Sequence, residues 1–325
     1  MAENLTLVQA VRDGLETEMD RDEDVLVLGE DVGENGGVFR ATQGLLEAFG
    51  PDRVIDTPLA ESGIIGTSVG LAAYGFKPVP EIQFSGFMYP GFDQIVSHMA
   101  RLRTRSRSRF SCPMVLRAPY GGGIRAPEHH SESKEAFYAH EAGLTVVIPS
   151  TPHDTKGLLI SAIRSPDPVI FLEPKKIYRA FREEVPEEDY EVPIGEAAVR
   201  TEGSDISVFT YGAMTRPTLD AAEDLEGEID VEVVDLRTVS PLDRDTIVES
   251  FKRTGRAAVV NEAPKTAGMA AEITATLQEE ALLYQEAPVE RITGFDVPFP
   301  LASLEDYYLP EPARIADGIR EAVGF

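Results

Sequence analysis

Val54-Ile55-Asp56-Thr57 leads across Pro58-Leu59-Ala60 into Glu61-Ser62-Gly63-Ile64-Ile65-Gly66. The first stretch reads as a short apolar strand and the second as the start of a helix with one carboxylate at its head. Gly63, Gly66, Gly70, Ala72 and Ala73 give that helix a face with almost no side chain, so another backbone or a flat ligand can come very close. Taken alone, a carboxylate at a helix N-terminus reads as a cap or a partner of the helix dipole.

Outward from this unit, strand-like runs recur at 25–28, 79–83, 114–117, 145–148 and 169–172. Helical segments fall between most of them, at 64–74, 92–102 and 153–164. Near-continuous apolar strands alternating with helices indicate a parallel sheet covered on both faces. At the front, Thr6 and Gln9 read as a capping box, with Val8, Val11 and Leu15 on one helical face. Gly33, Gly36 and Gly37 mark a loop, and 43–49 a short helix stopped by Gly50-Pro51. From 175 to 193 the chain carries Pro186, Pro193 and an acidic cluster, and reads as an exposed linker. A second α/β unit follows, with strands at 206–211, 231–235, 257–261 and 289–292 and helices at 215–225, 243–251 and 269–283.

A length of 325 residues fits two domains, and 42% hydrophobic residues support well-buried cores. No window holds about 18 apolar residues, and Met1-Ala2-Glu3-Asn4 opens with neither a basic nor an apolar region, so a cytoplasmic protein outside the membrane is expected. Cys112, the single cysteine, excludes an internal disulfide and a cysteine-based metal cluster. The net charge of −26 comes from 56 acidic against 30 basic residues, only seven of them lysines. The acids are spread along the whole chain, which resembles the halophilic adaptation of proteins from salt-loaded cytoplasm. High salt would screen their repulsion. The same charge argues against nucleic acid. Arg101, Arg103, Arg105, Arg107 and Arg109 lack interleaved aromatics, and read as a solvated segment or a subunit contact.

Several chemistries lack their motifs. The 29–37 loop lacks GxGxxG spacing, no GxxxxGK[ST] occurs, and there is no GxSxG elbow. None of His98, His129, His130, His140 and His153 has metal-ligand spacing. Gly121-Gly122-Gly123 lies at the carboxyl end of a parallel strand, where α/β proteins gather ligand sites. Pro127-Glu128-His129-His130-Ser131 follows.

Nine segments, in order, carry a family resemblance: 28–33 (LGEDVG), 56–61 (DTPLAE), 80–84 (PEIQF), 92–95 (FDQI), 149–152 (PSTP), 171–175 (FLEPK), 211–214 (YGAM), 235–238 (DLRT) and 261–263 (NEA). From Leu5 to Arg320 the chain resembles the beta subunit of the thiamine diphosphate-dependent 2-oxo acid dehydrogenase component, pyruvate dehydrogenase type. The resemblance implies an α/β fold of two three-layer α/β/α domains. These are a transketolase-like pyrimidine-binding domain at 1–180, a linker at 181–192, and a transketolase C-terminal-like domain at 193–325.

The resemblance also implies roles. Glu61 would meet the ring nitrogen of the cofactor's aminopyrimidine, favouring the imino tautomer whose nitrogen removes the thiazolium proton. That role requires a carboxyl group in a dry pocket. Phe87 aligns with the aromatic that stacks on the pyrimidine, although Phe84, Tyr89 and Phe92 read as core aromatics beside it. Leu59 and Gln83 would line the same pocket, and Glu30 would stand behind Glu61 in an acidic path linking active sites. His130 corresponds to the histidine reached by substrate and by the incoming lipoyl group, with His129 structural. In the second domain Tyr211, Arg237 and Glu262 are expected to be structural.

The chain has no Gly-Asp-Gly motif, so Mg2+ and the diphosphate are expected to be held by a separate alpha subunit in an α2β2 heterotetramer, and this chain alone is expected to be inactive. A lipoyl-bearing dihydrolipoamide acyltransferase is the other implied partner. Ala162, Ser165 and Asp167 fall in the loop that matches a structural K+ site. His130-Ser131-Glu132-Ser133 and Ala126-Pro127-Glu128 favour pyruvate over branched-chain 2-oxo acids. Acetoin cleavage and a split transketolase are the alternatives; the latter would need cationic groups for sugar phosphates.

Overall fold

The computed structural model describes residues 2–325. The first part of the chain forms strands β1 (Ala2–Leu5), β2 (Val25–Gly29), β3 (Val54–Asp56), β4 (Lys77–Glu81), β5 (Val115–Tyr120), β6 (Thr145–Val147) and β7 (Val169–Pro174). The second forms β8 (Glu183–Pro186), β9 (Ala198–Thr201), β10 (Ile206–Thr210), β11 (Val231–Asp235), β12 (Thr238–Ser240), β13 (Ala257–Pro264) and β14 (Glu290–Gly294). A seven-stranded sheet has the order β12-β6-β7-β5-β4-β2-β3, and a five-stranded sheet the order β14-β13-β10-β11-β9. Within these two sheets pairing is parallel except at the edge strands β12 and β9, and β1 and β8 form a separate antiparallel pair.

Burial explains the parallel sheets. Every residue of β2, β5, β7 and β10 is buried, because helices cover both faces. Helix α1 (Leu7–Arg21) turns Leu7, Val8, Val11, Leu15 and Met19 inward, against helix Pro152–Arg164. Gln9 Oε1 accepts the Thr6 N–H at 3.0 Å, the reach-back bond of a capping box. After the short helix α2 (Leu45–Phe49), helix α3 (Glu61–Tyr74) begins at Glu61 and ends at Gly75, whose φ of +116° closes its last turn.

The structure departs from expectation in five places. A 3-10 segment (Ser85–Gly91) precedes the helix expected at 92–102, which is itself replaced by a wide π turn (Gln94–Met99) and a short helix (Leu102–Arg105). Pro90 removes a donor from the first segment, and the Ala100 N–H bonds to the Ile95 carbonyl at 2.9 Å. The stretch expected as an exposed linker buries Lys175, Ile177, Tyr178, Val185 and Val192, and its strand β8 pairs with β1. Proline and acid content marked its outer face, while the apolar residues between them pack inward. Finally, β12 crosses from the second half to the edge of the first sheet. Three residues are too few to show a period, and helix Pro312–Val323 and strand β9 were likewise not anticipated.

Candidate active site

Sheet order places the expected residues together. The adjacent parallel strands β5, β4, β2 and β3 all end on one edge of the sheet. The loop after β5 carries His130, the segment after β4 carries Gln83 and Phe87, Glu30 follows β2, and Leu59 and Glu61 follow β3. Carboxyl ends of parallel strands are where such sheets open toward ligands.

Local bonds hold these loops. Asp56, the last residue of β3, accepts the N–H groups of Gly33 at 2.6 Å and Glu34 at 3.0 Å, tying the Glu30 loop to the start of α3. The Ser62 hydroxyl donates to the Pro90 carbonyl, joining the first turn of α3 to the Phe87 segment. His130 stands edge-on to two rings, with centroids 4.5 Å from Phe84 and 5.0 Å from Phe87. Its Nδ1 is buried without a partner. His129 is exposed, with its ring beside Phe87 and Tyr89. On the other side of this loop Glu132 accepts from Tyr89 Oη, and its carbonyl accepts from Ser85 Oγ at 3.0 Å.

Glu61 is only half-buried and Leu59 is 71% exposed. These residues therefore form one wall of a site, and the dry pocket expected around Glu61 is not closed by this chain by itself. Burial, then the charges of Asp31 and Glu61, push the Glu30 carboxyl above its ordinary range. A cleft lined by His140, Pro241, Arg244 and Met269 contains none of these residues.

Two buried polar clusters beneath the wall were not anticipated. Arg117 is fully buried, with Nε 2.6 Å from Glu173 and Nη1 3.2 Å from Glu81, and Tyr178 Oη donates to Glu173 at 2.5 Å. Glu135 accepts from Tyr120 Oη at 2.7 Å and from Tyr211 Oη at 2.6 Å, and its burial pushes its carboxyl up. The signal for the first was charge inside an apolar strand, Val115-Leu116-Arg117-Ala118; Glu135, at the head of the short helix Glu135–Ala139, offered no such signal. Tyr211, Arg237 and Glu262 are buried, and each reaches from the second half into the first, to Glu135, Asp154 and Gly122.

The wall suits one half of thiamine diphosphate. Leu59 and Phe87 offer apolar surface to a flat ring, Glu61 a carboxyl group for a ring nitrogen, and His130 a buried nitrogen in need of a partner. Among the described residues no group of three or more His, Cys, Asp or Glu side chains could hold a metal ion. No helix among them is long and apolar enough to cross a membrane.

Comparison with known proteins gives the class first. The family described as "Transketolase, pyrimidine binding domain" matches residues 3–180, and "Transketolase, C-terminal domain" matches 195–315. A solved split-gene transketolase, an inactive β4 tetramer, superposes with a TM-score of 0.81 over 99% of both chains at 21% identity, a likeness of fold. The fold is therefore two transketolase-type α/β/α domains. Over 322 residues, 99% of each chain, the sequence is 54% identical to the pyruvate dehydrogenase E1 component subunit beta of Bacillus subtilis (strain 168). It is 52% identical over the same span to that subunit of Staphylococcus aureus (strain Mu50 / ATCC 700699) and of Staphylococcus epidermidis. The chain belongs to the family of pyruvate dehydrogenase E1 component beta subunits.

Proposed function

We propose that this chain is the beta subunit of a thiamine diphosphate-dependent pyruvate dehydrogenase, working with an alpha subunit in an α2β2 heterotetramer. The assembly decarboxylates pyruvate and passes the acetyl group to lipoamide on a dihydrolipoamide acyltransferase. The observation that carries the reading is the half-buried carboxyl of Glu61 on an open wall with Phe87 and His130, in a chain alike end to end with that family. A wall without its opposite face calls for a second subunit, which would also hold the diphosphate and its Mg2+.

When bound, thiamine diphosphate supplies the carbon nucleophile for the 2-oxo carbon. Glu61 holds a proton at its carboxyl group toward the pyrimidine nitrogen, and the partner subunit excludes water from that contact, strengthening it. Phe87 and Leu59 orient the ring. Glu30, whose carboxyl burial already raises, would stand behind Glu61. His130, wedged between Phe84 and Phe87, donates to oxygen on the substrate or moves a proton during acyl transfer. A structural K+ would sit in the loop of Ala162, Ser165 and Asp167, where Arg103 also donates to Asp167 and, at 3.3 Å, to the Pro166 carbonyl.

The test is 2-oxo acid-dependent reduction of an artificial electron acceptor in multimolar KCl. It uses the chain co-expressed with its alpha partner, thiamine diphosphate and Mg2+. Turnover is expected only with both subunits, with pyruvate preferred over branched 2-oxo acids, and Glu61→Gln should lower kcat by about 10²-fold or more. An intact heterotetramer containing cofactor but inert toward every 2-oxo acid would overturn the reading in favour of acetoin cleavage or ketol transfer.

A further inference from the structure

The loop that leads to His130 is gripped by the second domain. Gly122 N–H donates to Glu262 Oε2 at 2.7 Å and Gly123 N–H to Glu305 Oε1 at 2.8 Å. Arg125 N–H donates to both Glu305 oxygens, at 3.2 and 3.1 Å. The Lys175 ammonium donates to the Gly121 carbonyl on the same turn. Glu262 lies on β13 and Glu305 opens the short helix Glu305–Tyr308; they are only 4% and 1% exposed. A carboxylate is a stronger acceptor for main-chain amides than a neutral group, and each of these is spent on that one loop.

The glycines permit the grip. At Gly121, with φ +78°, a Cβ would lie 2.4 Å from Glu262 Oε1, and at Gly122 it would lie 2.7 Å from the Phe299 ring. At Gly123, with φ +98°, it would strike Lys176 Cβ at 2.4 Å. The far end of the loop folds back onto its start, where the Gly121 N–H meets the Glu132 carbonyl at 3.3 Å. His130 sits on the 3-10 turn Glu128–His130 between these two fixed points.

We propose that Glu262 and Glu305 are positioning residues for the reaction. These second-domain carboxylates accept the amides of residues 122, 123 and 125 and thereby set where the His130 imidazole stands. The inference rests on the reading of His130 as acting on the substrate or the acyl group. It gives the second domain a part in the active site, beyond subunit contact. Without Glu305, the amides of Gly123 and Arg125 lose their acceptor and the loop is free to move by the ångström or so that misaligns a proton donor.

The experiment is a double-mutant cycle on the assembled, cofactor-loaded heterotetramer, reading reductive acylation of a lipoyl domain. Glu305→Ala should lower kcat by about tenfold or more while the 2-oxo acid KM stays within about threefold. Glu305→Gln, which keeps one acceptor oxygen, should recover most of the rate. On a His130→Ala background Glu305→Ala should add no further loss. Losses that multiply, or a rate that falls only in proportion to lost heterotetramer, would overturn the proposal and leave Glu305 a structural residue. If His130→Ala is impaired while Glu305→Ala keeps the parent rate, the reading of His130 stands and this inference fails. Full activity of His130→Ala removes both. Should Glu305→Ala not fold, Glu262→Ala, which removes the acceptor of the Gly122 amide, carries the same cycle.

Discussion

A Cβ at Gly86 would lie 2.0 Å from the His129 carbonyl oxygen and 3.3 Å from the Glu132 carboxylate. The nearer atom is backbone, which cannot swing aside, so any side chain here must separate the Phe87 segment from the His130 loop. Gly86→Ala is expected to cost roughly 1–3 kcal/mol, as overpacking does, and to lower kcat of the heterotetramer by about tenfold through misplacement. Thermal unfolding and steady-state rates measure the two effects. A parent-like kcat in the folded variant would mean that the Phe87–His130 contact is dispensable. Glu61 stood out through the 56–61 segment that carries the family resemblance, since a carboxylate at the head of a helix reads locally as a cap. Gly86 did not, because the atom that forbids a side chain there comes from a distant loop.

Helix Pro152–Arg164 is where the two halves of the chain are riveted. Its cap is Thr151, whose Oγ1 accepts the Asp154 N–H at 3.1 Å. The Asp154 side chain turns toward the second half, bonding Arg237 Nη1 at 3.2 Å and Arg200, which also grips Asp235 at 2.7 Å. Burial pushes the Asp154 carboxyl up, but Arg200 and Arg237 outweigh it and hold it below its ordinary 3.8. A depressed carboxyl contributes stability that is complete above its unfolded value and is lost as pH falls through the folded one. Asp154→Asn should therefore cost roughly 2–3 kcal/mol near neutral pH, less than a fully buried pair because Arg200 keeps Asp235. That difference from the parent should shrink as pH falls below 3.8. Urea unfolding of both proteins across that range checks it; a gap unchanged by pH would show that the contribution is steric. The helix itself was legible from its apolar period. Its buried aspartate was not, since Arg200 and Arg237 lie on elements whose approach no local pattern announces.

For the whole molecule the dominant fact is a net charge of −26. Many of the arginines are already paired at the surface, as in Arg320–Glu228 and Arg244–Glu280, so the surplus is acidic and repels itself. Screening should relieve this, and the melting temperature should rise by roughly 5–10 °C between about 0.1 M and 2 M KCl. A flat or falling melting curve with salt would show that the acids are spaced widely enough not to matter. The open wall around Glu61 carries the second expectation at this scale. The chain alone should turn over no 2-oxo acid, and adding the alpha partner should restore activity.

The sequence by itself determined most of the elements of the two sheets, their order along the chain and the positions of Glu30, Leu59, Glu61, Gln83, Phe87 and His130 at or just beyond strand ends. Those follow from hydrophobic period, breakers and caps, which act over a few residues. Only the tertiary structure decided that β5, β4, β2 and β3 lie side by side, so that six residues from four loops share one edge. It alone decided that β12 closes the first sheet and that Glu262 and Glu305 hold the His130 loop. Strand order and domain docking come from which apolar faces and which buried charges can be satisfied together. That is a property of the packed chain as a whole, and no short window of residues carries it.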